Sequence, residues 1–234
     1  MIARMPLIFN EMKKTAQKRN NPARKAALFT LGIAALVLIP IVARASTVFL
    51  PVPFTSQAPA DNWAEPWQNF CEEASIVMTA HYLWGLPLTP SFAELEMQII
   101  KRYEDLTFKH SKDTSIEETA LVLKNLYGFK DIETQKIQSP NDIKQELAAG
   151  RAVVAPVAGR MLFNPYFHPP GPNYHMVVIR GFDDEKGMFI VNEPGTRRGN
   201  AYEYPVNILF AAIHDWNNGD VAEGEKIILI AGPR

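Results

Sequence analysis

Nucleophilic chemistry in this chain can start from one thiol. Cys71 is the only cysteine in 234 residues. A loop rich in Pro, Trp and Asn runs into it through Pro66, Trp67, Gln68, Asn69 and Phe70, and Ala74, Ile76, Val77, Met78 and Ala80 leave it with apolar periodicity. That pattern predicts a loop ending at a helix start, with Cys71 on the first turn. Unpaired backbone N–H groups at a helix start favour negative charge. A thiol placed there has a lowered pKa, and its thiolate is the nucleophile. Glu72 and Glu73 also favour a helix start, but their charge opposes thiolate formation. The structural alternative is a buried cysteine packed as a small hydrophobe.

A nucleophilic cysteine needs a base, and the base needs a group that orients it. There are five histidines. His81 falls about three turns along the same helix as Cys71 and cannot meet it. His110 lies in a polar loop, His168 among prolines and His214 near a helix end. His175 differs, because it opens an apolar strand directly after the loop Gly171–Tyr174. That position fixes the ring and leaves it accessible. The following strand ends at Asn192-Glu193-Pro194-Gly195. If the two strands form a hairpin, this end returns to His175. Both Asn192 and Glu193 can accept an imidazole N–H, but period-two alternation puts them on opposite faces, so one of the two is the orienter.

The elements that must hold these groups follow from pattern and punctuation. Residues 46–55 are β-rich but carry Pro51 and Pro53, which suits an edge strand or an extended lead-in. A helix is predicted over 70–83. A second opens at the capping box Ser91/Glu94 and runs to about Tyr103, the polar stretch from Glu104 to Asp113 is expected to be a loop, and a third helix opens at Thr114/Glu117 and runs to Gly128. A short strand at 132–137 precedes a helix from Ser139-Pro140 to Gly150. Then come a buried strand at 152–157, an aromatic, proline-rich loop at 159–173, the hairpin 174–182 with 188–192, a helix over 205–216 and a closing strand at 226–230. Helices first and hairpins second indicate an α+β fold. The 159–173 loop, with Trp63 and Trp67, is expected to wall the substrate cleft.

Residues 1–25 are basic and polar, with Lys13, Lys14, Lys18, Arg19, Arg24 and Lys25, and residues 26–43 are uncharged and almost wholly apolar. Ala43-Arg44-Ala45 then offers the small residues that a signal peptidase reads. Basic flank, apolar run and Ala-x-Ala together describe an export signal. The run is also at the lower length limit of a membrane span, so 1–45 is read as a signal peptide or as an N-terminal membrane anchor with its basic end inside. Either way, 46–234 is one domain outside the cytoplasm, secreted or anchored.

The chain has 24 Lys and Arg against 25 Asp and Glu; eight basic residues and one acidic residue lie in 1–45, leaving 16 against 24 and a net charge of −8 in the domain. An acidic domain is a poor nucleic-acid binder. No zinc-type Cys/His cluster and no phosphate-cradling glycine loop occurs, so no cofactor or metal is expected. Nothing in the chain fixes an oligomeric state.

Four stretches together resemble the cysteine peptidase family 39 group: Leu50-Pro51-Val52-Pro53-Phe54-Thr55-Ser56-Gln57; Cys71-Glu72-Glu73-Ala74-Ser75 with Met78; Tyr174 to Asp183; and Asn192-Glu193-Pro194-Gly195. The resemblance spans roughly residues 48–200. Members are papain-like peptidases best known for cutting bacteriocin leaders after a double glycine. The resemblance implies a papain-like fold with N-terminal helices packed on an antiparallel sheet. It makes Cys71 the nucleophile and His175 the base. The third member is usually an Asp before Pro; here that place holds Glu193, one methylene longer, with Asn192 as the substitute. The oxyanion-hole glutamine matches Gln57, with Gln68 as its rival. The familiar double-glycine peptidase is joined to an exporter, and no exporter domain is present in this sequence. The resemblance therefore implies an exported cysteine peptidase acting on a peptide or protein through an acyl-enzyme. The alternatives on the same fold are an amidase or transferase on cell-wall peptides, or an inactive surface-binding domain.

Overall fold

The computed structural model describes residues 46–232. The expected leader, 1–45, with its apolar run at 26–43, lies outside the described residues. Among the described residues no helix is long and apolar enough to cross a membrane.

Three strands are buried at every or nearly every position: β3 (Ala152–Ala158), β4 (Tyr174–Asp183) and β7 (Ile227–Ala231). Continuous apolar strands of this kind need cover on both faces. The sheet runs β2 (Ile132–Lys136), β7, β3, β4, β5 (Met188–Asn192), β6 (Tyr202–Pro205), and β1 (Thr47–Phe49) pairs with the far end of β4. All pairings are antiparallel. The helices are α1 (Cys71–Trp84), α2 (Pro90–Thr107), α3 (Ile116–Asn125), α4 (Pro140–Ala148) and α5 (Val206–Ala212). α1 packs on β4 and touches α2 and α3, whereas α4 packs on β3 and β4 and touches α5. The α+β arrangement expected from the element order is present.

The sequence patterns locate the helices to within a turn, and the caps account for the differences. α2 starts at Thr89, not Ser91, because Pro90 occupies the first helical position; the Thr89 hydroxyl accepts the Phe92 N–H at 3.4 Å. α2 also continues to Thr107, so Glu104 is helical and buried and does not lie in a loop. α3 is capped by Ser115 and Glu118, one residue later than Thr114 and Glu117: the Glu118 carboxylate accepts the Ser115 N–H at 2.9 Å and the Ser115 hydroxyl accepts the Glu118 N–H at 3.3 Å. α5 is shorter than expected because Ile213 is extended and bridges Val157.

α1 is the central helix, buried continuously from Cys71 to His81. Its two buried hydroxyls are satisfied locally: Ser75 donates to the Cys71 carbonyl and Thr79 to the Ser75 carbonyl, both at 2.8 Å. This burial fixes its N-terminus, and with it Cys71, against β4.

Candidate active site

Phe70 ends a short 3-10 turn (Trp67–Asn69) and becomes the N-cap of α1. Its buried ring meets Trp67 edge-on at 5.1 Å. That anchor sets Cys71 as the first residue of the helix. His175 is the second residue of β4, paired with Val157 of β3. Cys71 and His175 line one cavity of about 400 Å³, together with Gln57, Glu72, Trp63 and Trp216.

Glu193 follows β5 directly. Its Oε1 stands 2.5 Å from His175 Nε2, and both side chains are buried. The extra methylene of glutamate does not prevent the contact. The same Oε1 accepts the Gly195 N–H at 2.8 Å, and Oε2 accepts the Tyr204 hydroxyl at 3.0 Å. Tyr204 in turn accepts Asn164 Nδ2 at 2.6 Å. Nε2 is committed to Glu193. Phe167 closes over the ring edge-on at 5.3 Å.

Two glycines make this packing sterically possible. A Cβ on Gly195 would lie 2.8 Å from Phe167 Cε1 and 3.1 Å from His175 Cε1. A Cβ on Gly199 would lie 1.8 Å from the Glu193 carbonyl oxygen, where the chain folds back so that the Gly199 carbonyl accepts the Glu193 N–H at 2.9 Å.

Asn192 faces the other way. Its amide donates to the Val52 and Pro53 carbonyls at 3.2 and 3.0 Å, and its Oδ1 accepts Arg180 Nη1 at 3.1 Å. Arg180 is the extra residue of a bulge in β4, and its Nε donates to the Leu50 carbonyl at 2.9 Å. Asn192 and Arg180 therefore tie down the lead-in, and Glu193 is the one that reaches the imidazole.

The lead-in ends at Gln57, whose backbone N–H donates to the Pro194 carbonyl at 3.0 Å. Gln57 is buried beside Cys71, and its amide donates one N–H to the Trp67 carbonyl at 3.0 Å. A primary amide has two N–H groups, so this bond fixes its plane and leaves one donor over. Gln68 also borders the cavity but is exposed, with its amide donating to Glu65 at 2.5 Å.

The thiol does not have the lowered pKa that its place at the helix start predicts. Burial pushes it well up, and the Glu72 and Glu73 carboxylates add to this, while the Met176 N–H works weakly in the other direction. The S–H donates to Glu72 Oε2 at 2.9 Å. Burial likewise pushes the Glu72 carboxyl up to about 7, partly offset by that hydrogen bond from the thiol. Desolvation outweighs the helix-end effect at this position.

Sequence reasoning missed Tyr204, which holds Glu193 and is itself held by Asn164, because it overlooked β6. The alternation Tyr202-Glu203-Tyr204 was the available signal. The expected wall is partly present: Trp63 and Phe167 border the cavity, while Trp67 packs under Phe70. His81, His110 and His214 lie elsewhere in side-chain and carbonyl contacts of their own, and His168 is at the cavity rim. Among the described residues no group of three or more His, Cys, Asp or Glu is arranged to hold a metal ion.

A helix-borne thiol and a strand-borne imidazole lining one cavity, on helices packed against an antiparallel sheet, define the class: a cysteine peptidase-like protein with a papain-like fold. The sequence profile of the Peptidase_C39 like family matches residues 49–219, and the chain belongs to that family. No curated protein matches it. Among solved structures it is similar to a protein described as a C39-like peptidase from Bacillus anthracis, with a TM-score of 0.51 and 15% identity over 80% of this chain and 98% of that one. It also matches xylellain, a cysteine protease from Xylella fastidiosa, with a TM-score of 0.41 and 14% identity over 82% and 88% of the two chains. At 15% identity the likeness to the Bacillus anthracis protein concerns the fold alone.

Proposed function

We propose that this protein is an exported cysteine peptidase that hydrolyses peptide bonds through Cys71, His175 and Glu193. The observation that carries the reading is the buried His175–Glu193 contact at the edge of the cavity that Cys71 lines. His175 Nδ1 takes the thiol proton, and Glu193 stabilises the resulting imidazolium. The thiolate attacks the carbonyl carbon of the substrate amide. The free N–H of Gln57 and the backbone N–H of Cys71 receive the oxyanion; one such donor typically contributes about 2.7–4 kcal/mol. His175 then protonates the leaving amine, and water hydrolyses the thioester.

The substrate is a peptide or protein. The catalytic cavity adjoins a groove of about 660 Å³ that shares Trp63, Gln68, His168 and Gly195 with it and continues past Tyr166, Arg197 and Arg198. An extended peptide lying across Cys71 would occupy both. Export rests on the basic flank and the apolar run of 1–45, which deliver the domain outside the cytoplasm, released or anchored.

The test compares the full chain with Cys71→Ala on a peptide library. Cleavage that the substitution abolishes while the fold survives supports the reading, and cleavage unaffected by it removes Cys71 from the chemistry. Protease accessibility of the domain in intact cells tests the export.

A further inference from the structure

Glu72 is the thiol's hydrogen-bond acceptor, it is buried, and it lines the catalytic cavity. Nothing in the mechanism above uses it. Its surroundings are mostly acidic. Glu73 lies beside it on α1, Glu104 faces it from α2, and Asp113 faces it from the segment after α2, with Lys112 also on the cavity wall. Tyr174 and His175 face it from β4. Among these groups the cations are Lys112 at the rim and His175 when protonated.

We propose that Glu72 is a protonation gate on the nucleophile: its carboxylate holds Cys71 as a thiol, and its protonated carboxyl releases the sulfur as a thiolate paired with His175. This rests on the reading of Cys71 and His175 as the reacting pair. In the closed state the S–H donates to Glu72 Oε2, as in the structure, and a thiolate would sit against a carboxylate at hydrogen-bond distance. In the open state Glu72 has taken one proton from solvent. The S–H bond breaks, its proton passes to His175 Nδ1, and the Glu72 O–H turns to donate to the thiolate. One negative charge then sits beside the imidazolium, and the sulfur has a donor where it had an acceptor.

Burial, more than any neighbour, sets where the gate turns, because it pushes Glu72 up to about 7. Below that pH the carboxyl is neutral and the gate is open. Above it the carboxylate is ionised and the gate is closed. Glu72 therefore sets the alkaline limit of the thiolate state, and the enzyme works on the acid side of neutrality.

Cys71 is the only cysteine, so alkylation by iodoacetamide reads this one sulfur and needs no substrate. In the full chain the alkylation rate is expected to fall as pH rises through about 7, then to climb again at alkaline pH as the thiol itself ionises. In Glu72→Gln, which keeps an acceptor but cannot ionise, the fall disappears and the rate at pH 8 rises about tenfold, the change that one unit of thiol pKa produces. A native rate that climbs steadily from pH 5 to 10 would overturn the gate, and so would a Glu72→Gln profile that overlays the native one. Should Glu72→Gln not fold, the native profile decides alone. Because alkylation needs no turnover, loss of peptidase activity bears on the proposed function and leaves the gate to be judged separately.

Discussion

Glu193 and Asn192 are adjacent in the chain and serve opposite sides of the sheet end: Glu193 holds His175 at 2.5 Å, while Asn192 holds the lead-in carbonyls of Val52 and Pro53. Strand alternation separates their tasks, so substitutions at the two positions should separate as well. Glu193→Gln keeps the shape and removes the charge that stabilises the imidazolium. It should lower kcat/KM about 10²-fold or more, with kcat carrying the loss. Asn192→Ala should instead lower stability by about 1–3 kcal/mol, since it leaves buried Arg180 and two carbonyls short of partners. Kinetics on peptide substrates alongside thermal melts distinguish the two outcomes.

The two glutamines at the cavity should differ in the same way. Gln57→Ala removes a buried donor and should lower kcat by about 10²- to 10³-fold. Gln68→Ala alters an exposed side chain already bonded to Glu65. It should leave stability within about 0.5 kcal/mol and leave kcat nearly unchanged. Equal losses from both would place the oxyanion elsewhere.

Tyr204→Phe tests the support behind Glu193. It removes the hydroxyl that donates to Glu193 Oε2 and accepts from Asn164. Stability should fall by about 1–3 kcal/mol, because a buried carboxylate oxygen and a buried amide each lose a partner. kcat/KM should fall as well, because Glu193 loses a bond that holds it against His175. A stability loss with unchanged kcat/KM would make Tyr204 purely structural.

Glu104 makes stability fall as pH rises. Burial, with the Glu72 charge next, pushes its carboxyl up to about 9 from an ordinary 4.5. Above pH 4.5 the unfolded chain releases this proton and the folded one keeps it, so the unfolded state binds fewer protons and is favoured. The stability that Glu104 contributes is complete below about pH 4.5 and is lost progressively up to about pH 9. Glu104→Gln should flatten this slope and raise Tm at pH 8, by roughly 2–4 °C for each kcal/mol recovered. Melts of both proteins between pH 5 and 9 give the comparison.

Much of the site was legible because it rests on local patterns. The loop-to-helix switch at Cys71 and the strand mouth at His175 show in short stretches, and alternation shows that Asn192 and Glu193 cannot share a task. What alternation could not give was which of the two faces inward. That depends on the Arg180 bulge and on the strap from Leu50: Arg180 bonds Leu50 across 130 positions and Asn192 across 12. The thiol environment was illegible for a related reason. Helix-end geometry is local, but the burial that outweighs it comes with packing on β4, which is distant in the chain. Glu104 looked like loop polarity because its partner across the interface, Glu73, lies 31 positions earlier, beyond the range of any helical pattern.

Leu50 to Gln57 bears on maturation. This strap follows β1 and ends in the proposed oxyanion donor, fastened by the Leu50 N–H to the Arg180 carbonyl and by the Gln57 N–H to the Pro194 carbonyl. A cut at Ala45, were one made there, would spare it, whereas trimming by even a few residues past Leu50 would remove its first fastening. The tolerance for ragged N-termini is therefore narrow, and preparations of this protein that differ by a handful of leading residues should differ in specific activity.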